Sequence, residues 1–519
     1  MTIALDRSCV VAVIGSGAMG AGIAQIAATA GHPVKMFDLR PGAAAQAAAE
    51  LRRTLLKLAA KGRMSDADAE QTGARLHAVD SLADLADAGL VVEAIVENLD
   101  AKRKLFIDLE AVVGAACVLA TNTSSISITS IAAPLRMPQR FLGMHFFNPA
   151  PLMALVEVVS GLATDPACAE SIFATAAAWG KSPVHTKSTP GFIVNRVARP
   201  YYAEALRLLG EEAGDVATID AILREAGGFR MGPFELMDLI GHDVNYAVTR
   251  SVFDAYYQDP RFTPSLIQLE LVNAGYLGRK SGRGFYHHGV GVEPPPPRTE
   301  LPAPPPAVVV IYPAGPLAQA LAQRLGAAGM AYSAAPGPHA DGRLFHPDGC
   351  AAYLTDGRSA TQRAYDLGSL DVALLDLALD PAKATRIACS FADQASPAAR
   401  RAVIGLLQAA GLAVSLLDDV PGLAVMRTVA MLANEAAEAV NQGVCDAAAA
   451  DLAMRKGVNY PRGPLAWADS IGLGTVMTVL DHLARTYGED RYRCSTLIRR
   501  KVCSGGNFHG PGGVLRADA

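Results

Sequence analysis

Gly15-Ser16-Gly17-Ala18-Met19-Gly20 is a GxGxxG run, the spacing of a turn that receives phosphates. It follows a β-branched run, Val10 to Ile14, and opens a helical stretch, Ala18 to Ala30, that Gly31 stops. Gly15 permits the tight turn, Gly17 lets backbone approach a pyrophosphate, and Gly20 lets helix and strand pack closely. The helix start, with Ala18 and Met19 in its first turn, adds N–H donors and the positive end of its dipole. Asp38 ends a second strand, Val34 to Phe37. A carboxylate there accepts hydrogen bonds from ribose hydroxyls and repels a 2′-phosphate, which favours NAD over NADP. Arg40 nearby pulls the other way.

A second constellation lies in GMHFFNPAPLMALVEVV, which holds His145 and Glu157 on two strand-like runs joined by the turn Asn148-Pro149-Ala150-Pro151. Strands side by side bring an acid to an imidazole, and such a pair is a general base for an alcohol proton. The spacing alone serves a structural His–Glu pair equally well. Thr121-Asn122-Thr123-Ser124-Ser125 follows the strand Val118 to Ala120, at the sheet edge where open α/β folds bind ligands. Its hydroxyls suit a substrate oxygen, or simply cap the next element. Asn195, beside Arg196, opens the next helical region and reads as a ligand group, a cap or an interdomain hydrogen bond.

The elements that must position these groups alternate. Helices are predicted at Ala43 to Lys61 and Ala101 to Val113, and strands at Leu90 to Ile95 and Phe141 to Phe147. That is an open, largely parallel α/β sheet with helices on both faces. From about Thr189 to Ala274 the period is helical throughout. Residues 293–306, EPPPPRTELPAPPP, read as a semi-rigid polyproline spacer between folding units. Beyond it the chain repeats itself. PGFIVNR at Pro190 matches PGLAVMR at Pro421, and GPFELMDLIG at Gly232 matches GPLAWADSIG at Gly463, both 231 residues on. Aligning Ile311 with Ile14 puts Tyr312, Ala314 and Leu317 on the fingerprint glycines, so the second copy has lost its phosphate loop.

The division expected is a Rossmann-like NAD-binding domain over 1–189 and an all-helical domain over 190–290. A linker over 291–306, a degenerate Rossmann-like domain over 307–420 and a second, non-catalytic helical domain over 421–519 complete it. With 46 Lys+Arg against 50 Asp+Glu, the formal charge of −4 excludes a generally basic nucleic-acid binder. No apolar run reaches the ~18 residues of a membrane span, and Asp6 in the opening MTIALDRS argues against a secretory signal. Eight scattered Cys, without CxxC or metal-ligand spacing, predict buried thiols of a reducing cytoplasm and no metal.

Together these segments resemble the L-3-hydroxyacyl-CoA dehydrogenase family, through GSGAMGAGIAQ, LVVEAIVENLDAKRKLF, ATNTSSISIT, GMHFFNPAPLMALVEVV, STPGFIVNR and GRKSGRGFY. The match spans roughly residues 8 to 287, and HFFNP with PGF-x-x-NR is its most specific part. The resemblance implies His145 as general base, Glu157 as its partner, and Ser124 and Asn195 on the substrate's reacting oxygen. It places Glu97, Lys102, Asn148 and Lys280 along the NAD site. Thr54 and Lys61 are approximate matches for contacts to CoA, with Thr54 where the family usually has Ser. An acyl-CoA is the implied substrate and NAD the implied cofactor.

The tandem second half resembles the longer bacterial members, including those that act on 3-hydroxyadipyl-CoA in phenylacetate breakdown. No segment is left for the hydratase module of fatty-oxidation multienzyme chains. Met426 replaces Asn195 and Pro511 falls opposite Lys280, so the second copy is not expected to be an active site. Residues 421 to 519 are expected to pack on 190 to 287 as an internal pseudo-dimer. Two rival readings are a dehydrogenase of a non-CoA hydroxy acid on the same fold and a non-catalytic NAD-binding protein.

Overall fold

A computed structural model describes residues 4–510 except residue 314. The chain forms two compact units, one running to Arg196 and including Gln442–Val458, the other made of Val197–Asn441 and the chain from Asn459. In the first unit β1 (Val10–Ile14), α1 (Ala18–Ala30), β2 (Val34–Phe37), α2 (Ala43–Ala60), α3 (Asp66–Ala74) and β3 (Leu76–Ala78) come first. Then follow β4 (Ala88–Glu93), α4 (Leu99–Val112), β5 (Val118–Thr121), α5 (Ile128–Ala132) and β6 (Phe141–Phe146). β7 (Leu155–Ser160), α6 (Pro166–Ala178), β8 (Ser182–Lys187) and the short α7 (Val194–Val197) close it.

The sheet order is β3-β2-β1-β4-β5-β6-β7-β8, parallel except for the β6–β7 pair. Val11 and Val13 feed one apolar core while Ala12 and Ile14 feed the other, since successive side chains leave opposite faces of a strand. Both faces are covered, which is why the strands are continuous apolar runs.

Several boundaries differ from the sequence reading by one or two residues, and three of the differences have a local cause. β4 stops at Glu93 rather than Ile95, because the Glu93 carboxylate turns back to accept the Ile95 N–H. α4 starts at Leu99 because Asn98 caps it through the Ala101 N–H. β6 stops at Phe146, whose N–H goes to the Asn122 side chain instead of a strand.

The second unit opens with α8 (Arg199–Gly210), α9 (Val216–Glu225), α10 (Pro233–Ile240), α11 (His242–Ala255) and α12 (Leu266–Asn273). Its sheet then runs through β9 (Val309–Ile311), α13 (Gly315–Ala327), β10 (Ser333–Ala334), β11 (Phe345–Pro347) and β12 (Ala351–Leu354). α14 (Ala360–Leu367), β13 (Val372–Leu375), β14 (Arg386–Phe391), α15 (Pro397–Ala409) and β15 (Ala413–Leu416) complete the sheet, and α16 (Val425–Asn441) follows. α17 (Ala447–Gly457) belongs to the first unit, where it packs on β7 and β8. α18 (Pro464–Ile471), α19 (Leu473–Tyr487) and α20 (Thr496–Ser504) return to the second.

The order β10-β9-β11-β12-β13-β14-β15 keeps from β12 onward the parallel, antiparallel, parallel pattern of β5 to β8. Its front end is altered: β11 runs antiparallel to both neighbours. Leu317, aligned with Gly20, is buried, and Tyr312 packs on His339; Ala314 and Pro511 lie outside the described residues.

The proline-rich stretch is not a free spacer. Arg298 donates its N–H to Thr218 Oγ1, Glu300 donates to the Val414 carbonyl on β15, and Gln408 of α15 bonds Glu300, Leu301 and Ala303. Proline removes N–H donors but leaves every carbonyl, so the non-proline residues between supply what docks the strand.

α8 packs on α16 inside this unit. Arg427, fully buried on α16, bonds Glu204 of α8 at 2.8 Å, and also Glu211, Tyr487 and Tyr492. Arg261 lies 3.3 Å from Glu435, and Arg491 lies 4.0 Å from Glu204, positions that match across the repeat. Among the described residues, no helix is long and apolar enough to cross a membrane.

Candidate active site

At the fingerprint, the chain geometry demands glycine where the sequence has it. Gly15 has φ +94°, and a Cβ there would meet the Ala94 carbonyl at 2.6 Å. A Cβ on Gly20 would run into the Gly15 carbonyl oxygen, whereas one on Gly17 meets nothing within 4 Å. The backbone at Gly17 therefore faces open space at the start of α1, as a bound pyrophosphate requires. Asp38 accepts the Ser16 N–H at 2.8 Å and hydroxyl at 2.6 Å, and the Arg40 N–H at 3.0 Å and Nε at 3.1 Å. Arg40 chiefly, with Ser16 and against a burial cost, holds this carboxyl well below the usual range, so it stays an acceptor. A cavity of about 660 Å³ lined by Leu39, Leu82, Ile95, Val96 and Leu105 adjoins Gly15 to Gly17 and Asp38, an apolar slot beside a carboxylate. Ser16 was not singled out by the sequence reading, although it sits inside the motif.

Beneath the neighbouring loop lies a buried ionic network. Lys102 Nζ donates to Glu93 at 2.6 Å and lies 3.4 Å from Glu97. The other Glu93 oxygen accepts the Thr121 hydroxyl at 2.6 Å. Glu97 gathers the Thr123 hydroxyl at 2.6 Å and the Ser124 and Ser125 N–H groups at 3.0 and 3.2 Å. Burial pushes the Glu97 carboxyl up, but Thr123, Lys102 and the Ser124 N–H outweigh it and the net shift is downward. Glu93 is the part of this network that the sequence reading missed, its signal an acid closing an apolar strand; Thr121, read there as a loop hydroxyl for a substrate oxygen or a cap, instead ends β5 and bonds Glu93.

β6 and β7 pair so that His145 and Glu157 are direct cross-strand partners. His145 Nδ1 lies 2.6 Å from Glu157 Oε2, and Glu157 Oε1 accepts the Ile193 and Val194 N–H groups, each at 3.0 Å. With one carboxylate oxygen spent on backbone donors, the other must take a proton from Nδ1, which leaves Nε2 as the lone-pair nitrogen. Phe147 and Phe192 flank the ring. His145, Ser124, Asn195, Asn148, Glu97, Lys102 and Met19 line one cavity of about 320 Å³. The cavity thus joins an imidazole base, a hydroxyl and an amide, a set able to hold and deprotonate an alcohol.

Not every proposed residue gathers here. Thr54 and Lys61 are exposed at the far half and end of α2, where Thr54 bonds the Glu50 carbonyl. Lys280 belongs to the second unit, paired with Asp243.

The second sheet is built differently at the matching place. Asp376 follows β13 at the place that His145, the last residue but one of β6, holds in the first sheet, and Ala388 stands opposite it where Glu157 stands. Its carboxylate accepts the Ala424, Val425 and Met426 N–H groups. A capping acid stands where the first sheet has an imidazole.

Residues 10–189 match the family profile described as 3-hydroxyacyl-CoA dehydrogenase, NAD binding domain, and 191–288 and 422–510 match its C-terminal domain. The chain belongs to the 3-hydroxyacyl-CoA dehydrogenase family. It is an NAD-dependent dehydrogenase of that family, built as the long tandem form. Residues 352–421 match the reduced Rossmann-fold domain of 3-hydroxybutyryl-CoA dehydrogenase.

The 3-hydroxyadipyl-CoA dehydrogenase of Escherichia coli (strain K12) is 43% identical over 492 residues, covering 95% of this chain and 97% of that one. A solved structure of 3-hydroxybutyryl-CoA dehydrogenase from Escherichia coli K12 is 41% identical with a TM-score of 0.87, covering 96% and 98%. The mitochondrial hydroxyacyl-coenzyme A dehydrogenase of Sus scrofa is 41% identical over 290 residues, 54% of this chain and 90% of its own. This 3-hydroxyacyl-CoA dehydrogenase therefore shares its first half with single-copy relatives and its whole length with the tandem form.

Proposed function

We propose that the chain oxidises L-3-hydroxyacyl-CoA thioesters to 3-ketoacyl-CoA, with His145 as general base. The observation that carries this is the 2.6 Å His145–Glu157 pair in the same cavity as Ser124 and Asn195. His145 Nε2 takes the proton of the 3-hydroxyl. Glu157 holds the ring's orientation and stabilises the imidazolium it becomes. Ser124 and Asn195 donate to the substrate oxygen as it turns into a carbonyl. NAD, when bound, supplies the acceptor for the C3 hydride. Gly15, Gly17 and Gly20, with the first turn at Ala18 and Met19, leave room for its pyrophosphate, and Asp38 takes its ribose. Glu97, Lys102 and Asn148 line its reactive end, with Lys280 assigned to the same site; Thr54 and Lys61 are assigned to CoA.

The names of the full-length relatives make 3-hydroxyadipyl-CoA and 3-hydroxybutyryl-CoA the candidate substrates, in a cytoplasmic catabolic route. The α8–α16 packing supports reading the two helical copies as an internal pseudo-dimer. The test is kcat/KM across 3-hydroxybutyryl-, longer 3-hydroxyacyl- and 3-hydroxyadipyl-CoA and the free acids. Turnover confined to thioesters and abolished in His145→Ala is expected; equal rates on free acids would overturn it.

A further inference from the structure

Residues Gln442–Val458 come from the second half of the chain yet belong to the first unit. Their helix α17 packs on β7, the strand that carries Glu157, and on β8. Three contacts bind the segment there. The Lys187 N–H donates to the Val444 carbonyl at 2.9 Å. Arg196, fully buried and next in sequence to Asn195, donates from Nη1 to Gln442 Oε1 at 2.9 Å. At Gly457 an added Cβ would lie 2.6 Å from Leu155 Cδ2 and 3.0 Å from Val194 Cγ2.

Gly457 is not needed for a turn, since its φ is outside the left-handed region and a helix disfavours glycine. What it supplies is space. Leu155 shares a face of β7 with Glu157, two residues on. The Val194 N–H is one of the two donors that fix Glu157 Oε1. The Cys445 thiol is close enough to feel Glu157: burial, then Asp446, then Glu157 push it up to about 12. The segment thus abuts Val194, one of the two donors on Glu157, Leu155 on the same face of β7, and Arg196 beside Asn195.

We infer that Gln442–Val458 is the positioning element of the His145–Glu157 pair and of Asn195, acting through Gly457 on Val194 and Leu155 and through Gln442 on Arg196. This rests on the roles proposed above for His145, Glu157 and Asn195. The second half then serves the first half's chemistry although it has no active site of its own.

The experiment measures kcat, KM for acyl-CoA, NAD affinity and Tm for full-length Gly457→Ala, Gly457→Val and Gln442→Ala, with His145→Ala as reference. Expected are a few-fold loss of kcat in Gly457→Ala and at least ten-fold in Gly457→Val. Gln442→Ala should lose kcat also, all with NAD affinity unchanged, and Val194→Ala should restore much of the activity of Gly457→Val. If Gly457→Val fails to fold, Gln442→Ala and Gly457→Ala decide. Wild-type kcat in these variants, or a loss that tracks Tm and NAD affinity without rescue, overturns the inference. An active His145→Ala would instead overturn the site assignment on which it rests.

Discussion

Asp376 and Glu157 do the same capping work from neighbouring strands of two related sheets. Glu157 on β7 accepts the Ile193 and Val194 N–H groups; Asp376, after β13, accepts those of Ala424, Val425 and Met426, the matching turn 231 residues later. In the first sheet the capping acid has an oxygen left over for an imidazole. In the second the acid has moved to the imidazole's place, so the cap survives and the imidazole does not.

The move has a pH signature. Burial raises the Asp376 carboxyl to about 6, against the pull of its backbone donors. A folded value above the unfolded one means that this group's stabilising contribution is full below about pH 4 and is lost as pH rises through about 6. The stability advantage of wild type over Asp376→Ala should therefore shrink by ~2 kcal/mol between pH 4 and pH 7. Urea unfolding followed by Trp467, with Trp179→Phe as background, reads the second unit alone. A constant advantage across that range would remove the claim.

Losing either member of the dyad should cost kcat by ~100-fold or more in His145→Ala and Glu157→Gln. The double variant should lose far less than the product, because the two act as a unit. Glutamine can still accept the Ile193 and Val194 N–H groups, so its amide faces Nδ1 and forces the proton onto Nε2. Steady-state kinetics at saturating NAD measure this.

Asp38→Ala should weaken NAD and raise the NADP/NAD ratio of kcat/KM. The substitution removes the proposed ribose acceptor and also frees Arg40, whose guanidinium is now tied to that carboxylate, to meet a 2′-phosphate. An unchanged ratio would mean that the ribose is read elsewhere.

Arg427→Leu should destabilise the second unit by ~3 kcal/mol, because it takes the nearest cation from the buried Glu204 carboxylate and leaves it the Tyr492 hydroxyl and the more distant Arg491. The Trp467 unfolding midpoint should fall while Trp179, in the first unit, reports a smaller change. Glu204→Gln in the same background should recover part of the loss.

A fragment ending at Gly291 should still bind NAD, since the fingerprint, Asp38 and the Glu93–Lys102 network all precede it. It should dimerise or aggregate, because the face of α8 that packs on α16 would be bare. Lacking Gln442–Val458, it should also turn over slowly. Gel filtration and kinetics decide; a monomer with full activity would refute the reading.

The amino-acid sequence by itself determined the parts whose physics is local. A strand, a glycine turn and a helix within 30 residues declare themselves, because glycine at Gly15 and Gly20 is a steric demand of the turn. The 231-residue repeat likewise announced two related helical regions, and HFFNP with PGFIVNR carried the resemblance that implies a His145–Glu157 pair near Asn195, groups that the fold brings to one cavity. Tertiary structure decided what depends on sheet order. Glu93, Lys102 and Thr121 meet only because β4, α4 and β5 are neighbours, and the ionic strength of that union is invisible to hydropathy. It also decided partners. The near-continuous apolar run of β7 tells that both of its faces are buried, but the covering helix is α17, some 300 residues further along, and nothing in the pattern of Leu155 to Ser160 says so. A proline-rich run reads as a spacer until Val414 and Gln408 are found bonding it, for composition counts missing donors and says nothing of the acceptors that remain.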